Sequence, residues 1–259
     1  MADQFVTIEK HKDFAIATIK REPVNSMNLA LWQQLKAALA DVEEDPKMRG
    51  LVFRSGLDKD VFTAGNDLFE LYAPKSSEAQ YRDFWVAQTS FFARLYQSRL
   101  ATLALIRGAC PAGGCALALC CDYRVMTDFG NIGLNEVAIG IPVPKYWSLL
   151  MERTIGLRSA ESLLLKGLMP SASEALALGL VDELSSKEGL DEKGLSAMKA
   201  MLSVADSGRV ATKRHLRESF AKAWGDFAEE EAKYGWNLIS HPKVVAAIEA
   251  TLAKLGSKP

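Results

Sequence analysis

The sequence predicts an α/β fold, and three observations carry that prediction. Strand-like and helix-like runs alternate through the first two-thirds of the chain, the pattern of parallel strands joined by right-handed crossovers. An apolar strand at residues 102–106 runs through a glycine-rich turn into a helix of small residues at 115–121. From Leu190 onward the chain reads as helix alone. The expected division is a core over residues 1–190 and a helical region over 191–259, serving as a cap or an assembly arm.

Residues 5–9 and 14–20 alternate apolar and polar side chains around the polar Lys10-His11-Lys12-Asp13, which reads as a β-hairpin. A loop from Pro23 leads to Asn28, placed to cap a helix whose apolar face is Leu31, Leu35, Ala38, Leu39 and Val42. That helix should stop before Pro46. Residues 50–54 form a short buried strand. Residues 61–71 carry Gly65 and end in a helical pattern, and 78–95 form a longer amphipathic helix rich in aromatics. A strand follows at 123–126, then short elements around 130–134 and 136–141. Three helices are expected between Pro144 and Leu178. Gly179 should stop the last, with Leu180-Val181-Asp182 as a short strand. In the tail, Gly235-Trp236 is expected to interrupt the helix, and Pro242 to open the final one.

Of the 259 residues, 49% are hydrophobic and 24% charged. This excludes a disordered chain and a disulfide-built mini-protein. With 31 Lys+Arg against 32 Asp+Glu the net charge is −1. There is no bulk basic field to draw the protein to nucleic acid or an anionic membrane, although a local basic pocket for a small anion is compatible with it. No apolar window is long enough to span a bilayer. The first ten residues lack a signal-peptide core and read as a mature start, and the C-terminal GSKP carries no address signal. Cys110, Cys115, Cys120 and Cys121 lie close together, separated by four-residue gaps where they are not adjacent. Their small neighbours Ala112, Ala116, Leu117, Ala118 and Leu119 favour buried thiols in a reducing compartment over a metal site.

Three segments carry candidate chemistry. The first is Ile106-Arg107-Gly108-Ala109-Cys110-Pro111-Ala112-Gly113-Gly114-Cys115. A glycine turn between strand and helix lets a ligand approach the backbone, where free N–H groups and the helix dipole face it. It reads either as a site for a phosphate or developing oxyanion, or as a turn that packs helix on sheet. It is neither a P-loop nor G-x-G-x-x-G. The second is Phe62-Thr63-Ala64-Gly65-Asn66-Asp67-Leu68, again a turn entering a helix, with Asp67 as N-cap or first-turn acid. The third places Glu136 in an apolar stretch between Leu134 and Val137. Burial there would raise its pKa toward that of a working base; the other reading is a surface-loop glutamate. No G-x-S-x-G or H-E-x-x-H occurs, and Ser219-Phe-Ala-Lys222 in a polar helix matches S-x-x-K by chance. His11, His215 and His241 have no acid–nucleophile arrangement around them.

In this order the three segments resemble the crotonase (enoyl-CoA hydratase/isomerase) superfamily over about residues 5–182, and within it the mitochondrial Δ3,Δ2-enoyl-CoA isomerases. The strings that carry the resemblance are Pro23-Val24-Asn25-Ser26, Phe62-Thr63-Ala64-Gly65, Leu95-Tyr96-Gln97-Ser98, Gly108 to Cys115, Cys121-Asp122-Tyr123-Arg124, Ile132 to Glu136, and Gly179-Leu180-Val181-Asp182. The resemblance implies a ββα spiral with a helical C-terminal trimerisation region, hence a homotrimer. It implies an acyl-CoA substrate, with CoA entering as part of the thioester and no separate cofactor or metal.

It further implies that the thioester oxygen sits between the backbone N–H groups of Asn66 and Gly113. Asn66 departs from the Ala or Leu common in the family, but only its N–H is required. Glu136 is the implied base, moving a proton from C2 to C4 of a 3-enoyl-CoA, cis or trans, to give the trans-2-enoyl-CoA of fatty-acid β-oxidation, with Asn135 orienting it. Hydratases place another glutamate where this chain has Ala116. Val24, Phe62, Ala64, Gly65, Leu68, Pro111, Asn135 and Ile141 complete the implied substrate and CoA contacts. CoA would run along residues 22–27 and 61–66, with Arg21 and Lys59 as candidate phosphate partners and Lys243, Lys254 or Lys258 in the tail. Residues 77–98 would border the acyl tunnel, with Phe91, Phe92, Trp85 and Tyr96 mainly in the core. Asp67 reads as an N-cap, Asp122 as a hydrogen-bonding group near the glycine turn, and Glu70, Glu152 and Glu161 as solvated or salt-bridged. The alternatives are a hydratase or thioesterase of the same superfamily, and a non-catalytic acyl-CoA or RNA-binding relative; near-zero charge argues against general RNA affinity. The mitochondrial matrix follows from the resemblance, and the cytoplasm otherwise.

Overall fold

A computed structural model describes residues 3–256. Its strands are β1 (Val6–Lys10), β2 (Phe14–Ile19), β3 (Gly50–Ser55), β4 (Ala101–Ile106), β5 (Cys110–Pro111), β6 (Tyr123–Thr127), β7 (Ile132–Gly133) and β8 (Glu183–Ser185). Its helices are α1 (Leu29–Glu44), α2 (Leu68–Leu71), α3 (Glu78–Tyr96), α4 (Gly113–Cys120), α5 (Lys145–Ile155), α6 (Leu157–Leu164), α7 (Ala172–Leu178), α8 (Leu190–Leu202), α9 (Asp206–Asp226), α10 (Ala228–Ile239) and α11 (Pro242–Lys254). One sheet runs in the order β1-β2-β3-β4-β6-β8, antiparallel at β1–β2 and parallel thereafter; β5 and β7 pair separately, also in parallel.

The chain winds as a spiral whose turns repeat one plan. Each passes from a strand of the large sheet to a short extended segment and then to a helix: β2, Met27, α1; β3, residues 61–66, α2; β4, β5, α4; β6, β7, α5. The short segments bond each other from one turn to the next. Met27 N donates to Gly65 O at 2.8 Å, Phe62 N to Ala109 O at 2.9 Å, Cys110 N to Asn131 O at 2.9 Å and Ala112 N to Gly133 O at 2.8 Å. Four loops far apart in sequence are thereby stacked at one edge of the sheet.

Both faces of the sheet are covered at β2, β3, β4 and β6, so these strands are apolar on both sides, while the edge strand β1 turns Thr7 and Glu9 outward. Ala15, Ala17 and Ile19 of β2 enter the main core, while Phe14 and Ile16 pack with α8 through Met198 and Leu202. Asn28 caps α1 by accepting from Leu31 N, the expected apolar face is buried, and the helix ends at Glu44 before Pro46. A Ser77–Gln80 capping box starts α3. This helix crosses the core with Phe92 in aromatic contact with Trp32, Trp147 and Trp224. All four cysteines are buried free thiols, pushed to high pKa by burial. Among the described residues no three His, Cys, Asp or Glu side chains gather as a metal site, and no helix is long and apolar enough to cross a membrane.

Two expectations are corrected. Residues 180–182 are not a strand: Leu180 N and Val181 N both turn back to Ala175 O, sealing α7 behind Gly179. The strand begins at Glu183, which pairs with Val125. Gly235-Trp236 does not interrupt the tail either; it lies inside α10. The glycine serves a close approach, since a Cβ there would stand 2.3 Å from the Tyr81 hydroxyl. The tail helices break instead at Ser203-Val204-Ala205, at Phe227 and at Ser240-His241.

Asp122 sits at the C-terminal end of α4, away from the glycine turn. It accepts from Thr102 N and binds Lys213 Nζ at 2.9 Å and Arg217 Nη1 at 2.8 Å. Burial alone would raise its carboxyl, but these two cations hold it below the usual range. The cluster fastens α9 to the core. Asp122→Ala is expected to destabilise the fold by about 3–5 kcal/mol, because it leaves a buried ammonium unpaired. Urea unfolding of the variant against wild type measures this, and a loss under 1 kcal/mol would show that the cluster is not a fastening.

Candidate active site

Gly65 is the close-contact point between the second and third stacked loops. Its φ is +83°, and a Cβ on it would meet the Ala112 Cβ at 2.9 Å and Pro111 O at 3.2 Å. A side chain there is strained by conformation and by contact. The close approach brings the next residue, Asn66, against the first residue of α4: a methyl placed on Gly113 would lie 3.5 Å from Asn66 N and 3.0 Å from Asn66 Oδ1. Among the described residues the N–H groups of Asn66 and Gly113 have no acceptor. Gly113 also opens a helix, so the positive end of the α4 dipole lies at this pair.

Glu136 begins a 3₁₀ turn, Glu136–Ile139, just beyond β7. It is 5% exposed, and neither carboxylate oxygen has a partner among the described residues. Burial raises its pKa from the ordinary 4.5 to about 7. Asn135 does not hold it, because both Glu136 oxygens are free of hydrogen bonds.

Glu136 and Asn66 face one cavity of about 1050 Å³. Of the residues singled out from the sequence, Val24, Ala64, Asn66, Leu68, Pro111, Asn135, Glu136 and Ile141 line it. Gly65 and Gly113 stand behind that wall as backbone. Phe62 is wholly buried in the core and does not line the cavity. Arg21 lines the cavity, but it is occupied by Asp67 at 2.8 Å and Ser26 O at 2.6 Å. Asp67 also caps α2, and Glu70 accepts from Leu29 N instead of standing solvated. Glu152 is half-buried and Glu161 exposed. Lys59, Lys243 and Lys254 are exposed and off the wall; Lys258 lies outside the described residues. Trp85 borders the cavity, whereas Phe91, Phe92 and Tyr96 belong to the core.

Tyr81 and Trp85 lie on the 77–98 segment expected to border the tunnel. The sequence reading missed the rest of the far wall, where Trp147 and tail residues between Phe227 and Leu255 close the cavity. Among them is Glu231, buried on α10, accepting from Lys145 N at 3.0 Å and Trp85 Nε1 at 3.2 Å. Burial raises its pKa too, against those two hydrogen bonds. Burial is the leading cause of both upward shifts. The available signal was a glutamate on the same helical stripe as Ala228, Ala232 and Ile239.

The sequence matches the enoyl-CoA hydratase/isomerase family over residues 9–252. It is 35% identical to human mitochondrial enoyl-CoA delta isomerase 1, an alignment spanning 93% of this chain and 80% of that protein. The crystal structure of human mitochondrial Δ3-Δ2-enoyl-CoA isomerase superposes with a TM-score of 0.94, covering 98% of both chains at 35% identity. An enoyl-CoA hydratase from Bacillus halodurans superposes at 0.87, with 25% identity over 95% of this chain and all of that one. The sequence match and the shared spiral, running almost end to end, make this chain a member of the enoyl-CoA hydratase/isomerase family.

Proposed function

We propose that this chain is a Δ3,Δ2-enoyl-CoA isomerase in which Glu136 is the single acid–base group. The observation that carries the reading is the isolation of Glu136: a buried carboxylate, unpaired, with its pKa lifted to about 7, in the wall of a largely apolar cavity. Its similarity to isomerases of known structure supports the same reading.

The proposed reaction begins with a 3-enoyl thioester whose carbonyl oxygen accepts from Asn66 N–H and Gly113 N–H. Glu136 takes a proton from C2. The electron pair left behind delocalises over C2, C3, C4 and the thioester oxygen as a dienolate, and the two N–H groups stabilise its charge. The protonated Glu136 then returns the proton to C4, leaving the double bond between C2 and C3. A base with a pKa near 7 suits both halves, since it accepts and releases a proton at similar cost. Hydration makes a different demand, a water held between two carboxylates. Ala116 occupies the position where the family's hydratases carry the other acid. We further propose acyl-CoA as the small-molecule partner, with no cofactor beyond the CoA of the thioester, a homotrimeric assembly, and residence in the mitochondrial matrix. The last rests on the mitochondrial relatives.

Glu136→Gln is expected to lower turnover of 3-enoyl-CoA by about 10²–10⁴-fold while acyl-CoA binding persists. Near-wild-type turnover would remove Glu136 as the base. In the wild type, kcat/KM should fall as the pH drops below about 7, where Glu136 becomes protonated.

Stability should run the other way. Folding raises this pKa, so the stability it contributes is complete below pH 4.5 and is lost as the pH rises through about 7. At pH 8 the ionised side chain costs the fold about 3 kcal/mol. Glu136→Gln should therefore shift the urea midpoint upward at pH 8 and hardly at all at pH 4.

With trans-2-enoyl-CoA as substrate, 3-hydroxyacyl-CoA should form at a trace rate at most. Fast hydration would instead establish the hydratase reading.

A further inference from the structure

The isomerase reading leaves Glu231 without a task, although this buried carboxylate stands in the cavity wall at a cost in desolvation. Each of its oxygens is taken: Trp85 Nε1 donates to Oε2 at 3.2 Å and Lys145 N to Oε1 at 3.0 Å. The two donors lead to one feature. Lys145 opens α5 behind Pro144, which gives no side-chain cap, so Glu231 supplies the missing acceptor at the positive end of that helix. Trp147 lies two residues further along α5, and its ring stacks on Trp85 at 6.3 Å and 15°. Tyr81 stacks on Trp85 in turn, at 5.5 Å and 23°. One carboxylate on α10 therefore grips the Trp85 indole directly and Trp147 through the start of its helix. All three stacked rings are buried and line the cavity, whereas the lining residues Glu22, Lys145 and Glu230 are exposed and mark its mouth. An acyl thioester held at Asn66 and Gly113 sends its polar CoA toward the mouth and its apolar chain toward the buried rings, where it leaves water.

We propose that Glu231 is a positioning residue for acyl-chain recognition: it clamps Trp85 and the start of α5, and so holds the Trp85–Trp147 stack as the wall against which the chain beyond C4 packs. The proposal rests on the isomerase reading for its substrate, and on the two hydrogen bonds and the ring stack for its geometry. An indole at a cavity surface has several staggered rotamers open to it. A bond on Nε1, with rings stacked against it, selects one of them. A wall ordered during folding does not have to be ordered when the chain arrives, so binding loses less entropy there. With both oxygens engaged, Glu231 takes no part in the proton transfer, which stays with Glu136. A chain too short to reach the rings does not sense the clamp, and a longer one does.

The test compares a short substrate, 3-hexenoyl-CoA, with a long one, 3-dodecenoyl-CoA. Glu231→Ala deletes both acceptors. Glu231→Gln keeps the volume and one acceptor oxygen, and Trp85→Phe keeps a ring but loses the N–H. In variants shown to be folded by thermal melt, Glu231→Ala and Trp85→Phe should each raise KM for 3-dodecenoyl-CoA about tenfold, the scale of a lost hydrogen bond to a charged group, while kcat and the KM for 3-hexenoyl-CoA stay within about twofold of wild type. Glu231→Gln should fall between wild type and Glu231→Ala. The double variant Glu231→Ala/Trp85→Phe should cost less than the product of the single losses, because both delete the same bond. An equal loss at both chain lengths overturns the proposal, since Glu231 would then serve the fold alone. So does a KM unchanged at both lengths, and so does tighter binding of the long chain, which would make the stack a stop and not a wall. Dissociation constants of hexanoyl-CoA and dodecanoyl-CoA, measured by calorimetry, make the same comparison without turnover. Should the wild type fail to isomerise 3-enoyl-CoA at all, the isomerase reading falls, while these constants still decide the role of Glu231.

Discussion

The site depends on main-chain hydrogen bonds between successive turns of the spiral. Met27 with Gly65, Phe62 with Ala109, Cys110 with Asn131 and Ala112 with Gly133 form a ladder outside the large sheet. It fixes four loops whose side chains otherwise have little in common. A backbone ladder is indifferent to most side chains, so the loops can carry a donor pair, an acid or an apolar wall without altering the frame. The exceptions are the glycines of close approach, Gly108 and Gly130 among them, and at Gly65 a Cβ would push the second and third loops apart where Asn66 and Gly113 meet.

Two buried carboxylates show how the same desolvation leads to opposite ends. Asp122 is surrounded by Lys213, Arg217 and Thr102 N, stays ionised, and fastens α9 to the core. Among the described residues Glu136 has no compensating partner, and burial lifts its pKa to about 7. The two lie on opposite sides of the α4 dipole. The N-terminal end of that helix presents Gly113 to the cavity, and the cations gather at its C-terminal end, where each sign is favoured. The helix separates a structural electrostatic centre from a reactive one.

Much of this was legible in the sequence. The alternation of strands and helices, the Asn28 cap, the glycine turns and the apolar setting of Glu136 are local patterns, and each lies where its pattern indicated. The family strings extended that local reading to the pairing of Asn66 with Gly113. What escaped was non-local. Gly235 looked like a helix break, because its reason for being glycine, the Tyr81 hydroxyl, lies on α3. Leu180 and Val181 looked like a strand because apolar residues that seal a helix end have the same composition as a buried strand. Glu231 was invisible as a cavity residue because its donors, Trp85 and Lys145, come from helices far from it in the chain. Lys59 drew notice by proximity in sequence, but it is exposed and does not line the cavity.

The closing of the cavity by α10 and α11 also bears on how the chain comes into being. Synthesis proceeds from the N-terminus, and segments fold as they emerge from the ribosome. The residues of the spiral, with its ladder of loops and its acid, are synthesised before those of the helices that roof it. For that interval the apolar trough bordered by Trp85 and Trp147 lies open, a surface of the kind chaperones hold. Enclosure of Glu136, and with it the burial that tunes its proton affinity, is among the last events in the birth of the molecule.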